Sequence, residues 1–265
     1  MHNTTYHKAS SASEAASLMS NAEDGALLAG GQTLIPTMKQ RLAAPSDLID
    51  ISGVSEMKGV TVSGSRVTIG AMTTHAEVAS NRKLASICPG IAKLASGIGD
   101  PAVRHRGTLG GSVANNDPAA DYPAAILALG ATIKTNQREI AADDFFTGMF
   151  TTALDEGEMI VSVSFDAPAK SAYAKFPNPA SRYAMCGVFV AKGDGGVRVG
   201  VTGASSDGVF RASDMEAALA SNFSASALDG ISVSADGLLS DIHGDAAYRA
   251  NLVKVMAKRA VAAAG

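Results

Sequence analysis

The 265-residue sequence has no tryptophan and only two cysteines, Cys88 and Cys186. Far apart and outside any C-x-x-C pair, they exclude a disulfide framework, a four-cysteine zinc site and a cysteine-ligated iron–sulfur cluster within this chain. Each is expected to be a reduced, buried small hydrophobe. Charge is scarce too: charged residues make up 18%, and 22 lysines and arginines against 25 aspartates and glutamates leave a net charge of −3. That balance argues against a dedicated nucleic-acid binder, because a phosphate backbone calls for a basic face. The longest candidate for a membrane span, Ala124 to Ile133, is about half the ~20 residues required and carries Gly130. The stretch from Met1 to Ala16 has no basic segment followed by an apolar one, so a cytoplasmic location is expected.

Glycine, by contrast, is abundant, with 27 residues in an otherwise ordinary composition of 46% hydrophobic residues. Consecutive glycines give up backbone entropy and point to loops that hold something. At about 150 residues per domain, the length suits one large or two modest domains.

Along the chain, Ser11-x-x-Glu14 reads as a capping box opening a short helix. Ala26 to Ala29 reads as a buried strand ending at Gly30-Gly31-Gln32-Thr33, and Leu34 to Leu42 has helical spacing. Leu48 to Ile51 is a second strand, so the first unit is expected to be a small mixed sheet with helices. Val60 to Val62 and Val67 to Ile69 form a hairpin. Thr74-x-x-Glu77 caps a helix, and another from Arg82 to Ser96 is broken near Pro89. Pro118 and Pro123 flank an apolar helix from Ala119 to Leu129, followed by strands at Ala131 to Thr135 and Met159 to Phe165. Pro168 to Ser171 is the linker. Beyond it lie a hairpin, Ala184 to Lys192 with Val197 to Thr202, and helices at Ser213 to Ala220 and Ala246 to Ala262. The fold class is α+β.

The pairs Gly30-Gly31 and Gly110-Gly111 share one expected chemistry. Curled glycine backbone aims successive N–H groups into one concavity and lets a phosphate approach. Such pairs also occur in ordinary turns, but two of them, with hydroxyls at Thr33, Thr108 and Ser112, suit the two phosphates of a dinucleotide. Gly97-Ile98-Gly99-Asp100-Pro101-Ala102 formally matches the G-x-G-x-x-G/A fingerprint. It is not read as a Rossmann site, since no strand precedes it and Arg104 to Gly111 is not expected to open a helix. His75-x-Glu77 lacks the P-C-x-x-C partner of a zinc deaminase and is assigned to a capped surface helix. Arg104, His105 and Arg106 read either as an anion or partner site or as a solvated loop. Asp117 is placed to cap the following helix. Asp121, a carboxylate just past a glycine loop, is placed to accept from ribose or ribityl hydroxyls.

Two long motifs carry a family resemblance. Ala29-Gly-Gly-Gln-Thr33, continuing through Pro45 to Leu48-Ile-Asp-Ile51, resembles the first FAD loop of the medium subunits of molybdenum hydroxylases, such as aerobic carbon monoxide dehydrogenase and xanthine dehydrogenase. Asp100 to Ser112, followed by Asp117-Pro-Ala-Ala-Asp121, resembles their second. Tyr173-Ala-Lys175 to Val190 and Tyr248-Arg249 resemble their C-terminal domain, so the resemblance covers nearly the whole chain. It implies a two-part PCMH-type FAD-binding domain over 1–167, with subdomains of about 1–53 and 54–167. A smaller C-terminal α+β domain, an antiparallel sheet plus helices, follows over 170–265.

The resemblance further implies non-covalent FAD held by Ala29, Gly30, Gly31, Gln32 and Thr33 and by Thr108, Leu109, Gly110, Gly111 and Ser112. Asp121 contacts the cofactor, Ile98 and Ile160 pack around it, Lys175 matches a family lysine, and Tyr183 falls where some relatives place an aromatic near the isoalloxazine. Tyr183 reads equally as core. The molybdenum cofactor and the [2Fe–2S] clusters are then expected on a large and a small partner subunit, in a heterotrimer or its dimer. The inserted cysteine-rich loop of the 4-hydroxybenzoyl-CoA reductase branch is absent. Two other readings stay open, a self-sufficient FAD-dependent oxidase of the same fold and a flavin-free assembly subunit. No catalytic residue and no metal ligand is singled out in the sequence.

Overall fold

The computed structural model describes residues 2–265 and resolves them into three larger sheets and one two-stranded sheet. The first unit contains β1 (Thr5–Lys8), α1 (Ala12–Asn21), β2 (Gly25–Leu28), α2 (Leu34–Lys39) and β3 (Asp47–Asp50). Its strands run in the order β1-β3-β2, and both pairs are parallel. The sheet is therefore parallel rather than mixed, as helical crossovers between successive strands require. Ser11 caps α1 by accepting from the Glu14 N–H at 3.1 Å. The Glu14 carboxylate, however, takes the N–H and hydroxyl of Ser10 at 2.8 and 2.6 Å, so the box closes one residue earlier than expected. α2 ends before Leu42, with Arg41 in the left-handed region at φ 63°.

The second unit opens with β4 (Val60–Ser63), β5 (Arg66–Gly70), α3 (His75–Ser80), α4 (Arg82–Ile87) and α5 (Pro89–Ser96). It continues through α6 (Pro101–Arg104), α7 (Leu109–Asn115), α8 (Tyr122–Ala128), β6 (Thr132–Thr135) and β7 (Glu139–Ala141). Then come α9 (Ala142–Phe145), β8 (Phe146–Gly148), β9 (Thr151–Thr152) and β10 (Ile160–Asp166). The sheet order is β4-β5-β10-β6-β7, antiparallel throughout. The Thr74 and Glu77 capping box forms, and Pro89 starts α5, where its missing N–H is no loss.

Three expectations about helix ends fail in this unit. The stretch from Arg104 to Gly111 does open a helix, α7. Extended Thr108 caps it, its Oγ1 accepting from the Gly111 N–H at 3.1 Å, which offsets the roughly 1 kcal/mol a glycine costs in a helix. The apolar helix begins at Tyr122 rather than Ala119, with Pro123 inside its first turn and all seven of its residues buried. Asp117 does not cap it. Its Oδ1 accepts from the Ala119 N–H at 2.8 Å in a local turn.

Only Ala167, Pro168 and Ala169 separate β10 from β11 (Lys170–Pro177), so Lys170 and Ser171 of the expected linker already lie in a strand. β12 (Ala184–Gly193), β13 (Gly196–Thr202) and β14 (Phe210–Arg211) complete an antiparallel sheet, followed by α10 (Ser213–Ser221) and α11 (Ala246–Ala264). β12 is buried on both faces. Cys186, Val188 and Val190 point into a core shared with α10 and α11, while Phe189 and Ala191 join the core of the preceding sheet and α8. The period-2 alternation of this strand thus stitches the two cores together.

Candidate cofactor cleft between the two glycine loops

The turn after β2 packs on the segment just before α7 where Gly30 presents no side chain, and α7 packs on the end of β5 where Gly110 presents none. A Cβ on Gly30 would lie 2.2 Å from the Arg106 carbonyl oxygen, and one on Gly110 would lie 2.5 Å from the Ala71 Cβ. These two glycines therefore serve close backbone packing. Gly31 meets a different need, a left-handed backbone at φ 72°. Gly111, on the cleft side, is less confined: a Cβ there would meet Thr108 Oγ1 at 3.0 Å and the Ala29 Cβ at 3.6 Å, with no backbone atom close.

Their hydrogen-bonding states differ as well, contrary to the shared chemistry expected. In the second loop the donors are engaged: Leu109 N–H to Thr73 O at 3.0 Å, Gly110 N–H to Ala71 O at 2.8 Å and Ser112 N–H to Thr108 O at 3.1 Å. In the first, no acceptor among the described residues takes the N–H groups of Gly30, Gly31, Gln32 or Thr33. The first loop thus offers backbone donors to an anion, and the second offers the hydroxyls of Thr108 and Ser112.

The cleft between the loops encloses about 700 Å³, within the roughly 300–1,000 Å³ usual for cofactor sites. Ala29, Gly30, Gly31, Gln32, Thr33, Ile98, Thr108, Gly110, Gly111, Ser112, Asp121, Ile160 and Tyr183 all line it. Leu109 and Lys175 do not. The Leu109 side chain is fully buried in the core below α7, and the Lys175 ammonium donates to protein oxygens.

Asp121 stands at the N-cap position of α8 but leaves the helix uncapped. Its buried carboxylate instead accepts from the Tyr173 hydroxyl at Oδ1 and from Lys175 Nζ at Oδ2, 3.1 Å. Burial pushes its pKa up, and the Lys175 charge with the two hydrogen bonds pulls it back. Tyr183, 47% exposed, reaches the cleft from the third sheet on a loop whose Arg182 is left-handed at φ 63°.

Two polar lining residues, His75 and Arg182, carry chemistry that the sequence did not assign to the site. His75, assigned to a surface helix, is 95% buried by the close approach of Gly107, where a Cβ would lie 2.6 Å from its Nε2. Its Nδ1 has no partner, and burial with the nearby Arg104 charge lowers its pKa to about 4. The capping box fixed its place on α3 but carried no signal for the ring's burial. Arg182 also lines the cleft, donating to Gly99 O at 3.3 Å. Arg104 is occupied by Ile98 O and Gly99 O at 2.9 and 3.0 Å, while His105 and Arg106 remain exposed. No helix among the described residues is long and apolar enough to cross a membrane.

Fold and cleft together define a protein that binds a dinucleotide-sized cofactor. A family model described as the FAD binding domain in molybdopterin dehydrogenase matches residues 2–168, and the chain belongs to that family. It is 34% identical to the carbon monoxide dehydrogenase medium chain of Hydrogenophaga pseudoflava, covering 98% of this chain and 96% of that one. Identity and coverage are the same for the nicotine 6-hydroxylase medium subunit of Paenarthrobacter nicotinovorans. A structure of reconstituted CO dehydrogenase from Oligotropha carboxidovorans superposes with a TM-score of 0.90 at 32% identity, over 99% of this chain and 97% of that one. The chain is thus an FAD-binding oxidoreductase subunit of the molybdenum hydroxylase class, related to the medium chains.

Proposed function

We propose that this chain carries non-covalent FAD and serves as the electron-transfer subunit of a heteromeric molybdenum hydroxylase. It takes electrons from [2Fe–2S] clusters of a small partner subunit and passes them to an external acceptor, while substrate is turned over on a large molybdenum-binding subunit. The observation that carries this reading is the cleft itself, with free N–H groups on the first loop opposite the hydroxyls of the second. The free N–H groups of Gly30 to Thr33 would hold a pyrophosphate, with Thr108 and Ser112 donating from the opposite wall. Asp121, with lone pairs beyond those used by Tyr173 and Lys175, would accept from a cofactor hydroxyl. Ile98 and Ile160 supply apolar wall, and Tyr183 an aromatic face. FAD supplies the ability to accept electrons singly and deliver them in pairs; the protein's part is to bind, orient and tune it. Cys88 and Cys186 lie in different cores, and no group of three or more His, Cys, Asp or Glu side chains comes together among the described residues, so the reading places the [2Fe–2S] clusters on a partner.

The test is the visible spectrum of the purified chain supplied with FAD, followed by acid precipitation. A flavin spectrum whose colour passes into the supernatant is expected. No uptake of FAD contradicts the reading, and colour retained in the pellet contradicts non-covalent attachment.

A further inference from the structure

We infer that Lys175 is a positioning residue, a three-way clamp that holds the Tyr183 loop against the cleft, rather than a ligand of the cofactor. An ammonium has three N–H donors. Those of Lys175 meet three acceptors from three separate segments: Gly97 O at 2.9 Å, the Asp121 carboxylate at 3.0 Å and Arg182 O at 3.0 Å. Gly97 follows α5, Asp121 precedes α8, and Arg182 belongs to the loop between β11 and β12. The side chain is 11% exposed and does not line the cleft, so no donor is left to face it.

What the clamp holds is a loop whose other hydrogen bonds are mostly internal, among them those from the Ala180 and Ser181 N–H groups to Asn178 Oδ1. Asn178 N–H donates to Tyr183 O and Arg182 N–H to Asn178 O, both at 2.8 Å, closing the loop on itself. Among the described residues, its only other side-chain anchor to the first two units is the 3.3 Å bond from Arg182 to Gly99 O. Arg182 sits in a backbone region that persists only where surrounding contacts over-determine it. The bond from Lys175 to the Arg182 carbonyl is one such contact, one residue before the ring that lines the cleft. The Asp121 carboxylate holds the ammonium in turn and is itself fixed by the Tyr173 hydroxyl. Lys175 and Asp121 therefore act as one buried unit, and loss of the lysine releases the loop rather than a cofactor contact.

The inference rests on the proposed function only where FAD is used, and one of the two readouts does without it. Hydrogen exchange of the ligand-free chain is measured for wild type, Lys175→Met and Lys175→Met with Asp121→Asn. The double variant removes the uncompensated buried charge if the single one folds poorly. The amides of Asn178 and Arg182 should exchange about tenfold faster or more in the variants, while those of β13 stay unchanged. In FAD-loaded protein, Lys175→Met should shift flavin emission toward that of Tyr183→Ala and add nothing in the Tyr183→Ala background. Unchanged exchange at Asn178 and Arg182 would overturn the clamp, as would a full effect of Lys175→Met on emission in the absence of Tyr183. Failure of the wild-type chain to take up FAD contradicts the proposed function and leaves the exchange result to decide the clamp.

Discussion

A single methyl group separates the roles of the glycines. Gly30→Ala places a Cβ against backbone that cannot move aside, 2.2 Å from Arg106 O. It should cost about 1–3 kcal/mol or more in stability and separate the loops. Gly111→Ala meets only the Thr108 hydroxyl closely. Helix propensity favours alanine there by up to ~1 kcal/mol, so the chain should unfold at nearly the wild-type urea midpoint. Its methyl, however, narrows the cleft, and FAD affinity should fall about tenfold or more, some 1.4 kcal/mol. Urea titration and FAD titration of the two variants read both effects.

His75 makes the second prediction at this scale. Its folded pKa, about 4, lies below its ordinary value of 6.5, so between these limits the unfolded chain binds the extra proton. Stability should therefore fall as pH drops from 6.5 toward 4, by on the order of 1 kcal/mol per pH unit. In His75→Asn the slope between pH 6.5 and 5, above the range of most carboxylates, should flatten. A slope unchanged in that variant would show that the imidazole is not held neutral in the fold. Of the fifteen residues expected to hold the cofactor, thirteen line the cleft; the glycine pairs and their hydroxyls are local signals, whereas Ile98, Ile160 and Tyr183 were pointed to by the family resemblance alone. The sequence missed the burial of His75 and the clamping role of Lys175 because both depend on segments distant in the chain.

Elements were legible where their ends were chemically marked. Thr74 with Glu77 and the proline of α5 announced their helices, and the β12 and β13 hairpin followed from alternation. α7 was hidden because Gly110, needed for packing, and Gly111 both run against helix propensity, leaving Thr108 as its one marker. The β8 and β9 hairpin was hidden too, its strands being only three and two residues long. Asn116 holds this hairpin, its Nδ2 donating to Gly148 O and Thr151 O at 2.8 Å from a left-handed backbone at φ 42°. Asn116→Gly keeps the conformation and loses the two bonds, at about 1 kcal/mol each. Asn116→Ala adds a further 1 kcal/mol or so of left-handed strain. Urea unfolding should rank wild type above glycine above alanine, and equal stability of the two variants would show that the backbone of Asn116 is not under constraint.

At the scale of the whole molecule, the segment between α7 and α8 joins the sheets. The Thr202 hydroxyl shares its one proton between Ala120 O at 2.7 Å and Pro118 O at 3.0 Å, and Gly203 N–H donates to Pro118 O at 2.8 Å. The third sheet thus braces the segment that carries Asp117 and Asp121 to the cleft. The succession of a helix-linked first unit, a hairpin-bearing second and a third after Pro168 could be read from local pattern. Docking of the units on one another could not, because carbonyls such as Pro118 O leave no trace in side-chain periodicity.

The central claim is that this chain relays electrons to and from a flavin but does not oxidise an organic substrate itself. The purified, FAD-loaded chain is mixed anaerobically with N-heterocycles, aldehydes and carbon monoxide, with and without its neighbouring subunits, while flavin absorbance is followed. The account predicts no bleaching by any of these compounds alone and rapid bleaching once the partner subunits are present. Rapid bleaching of the isolated chain by a substrate would contradict it and identify a self-sufficient oxidase.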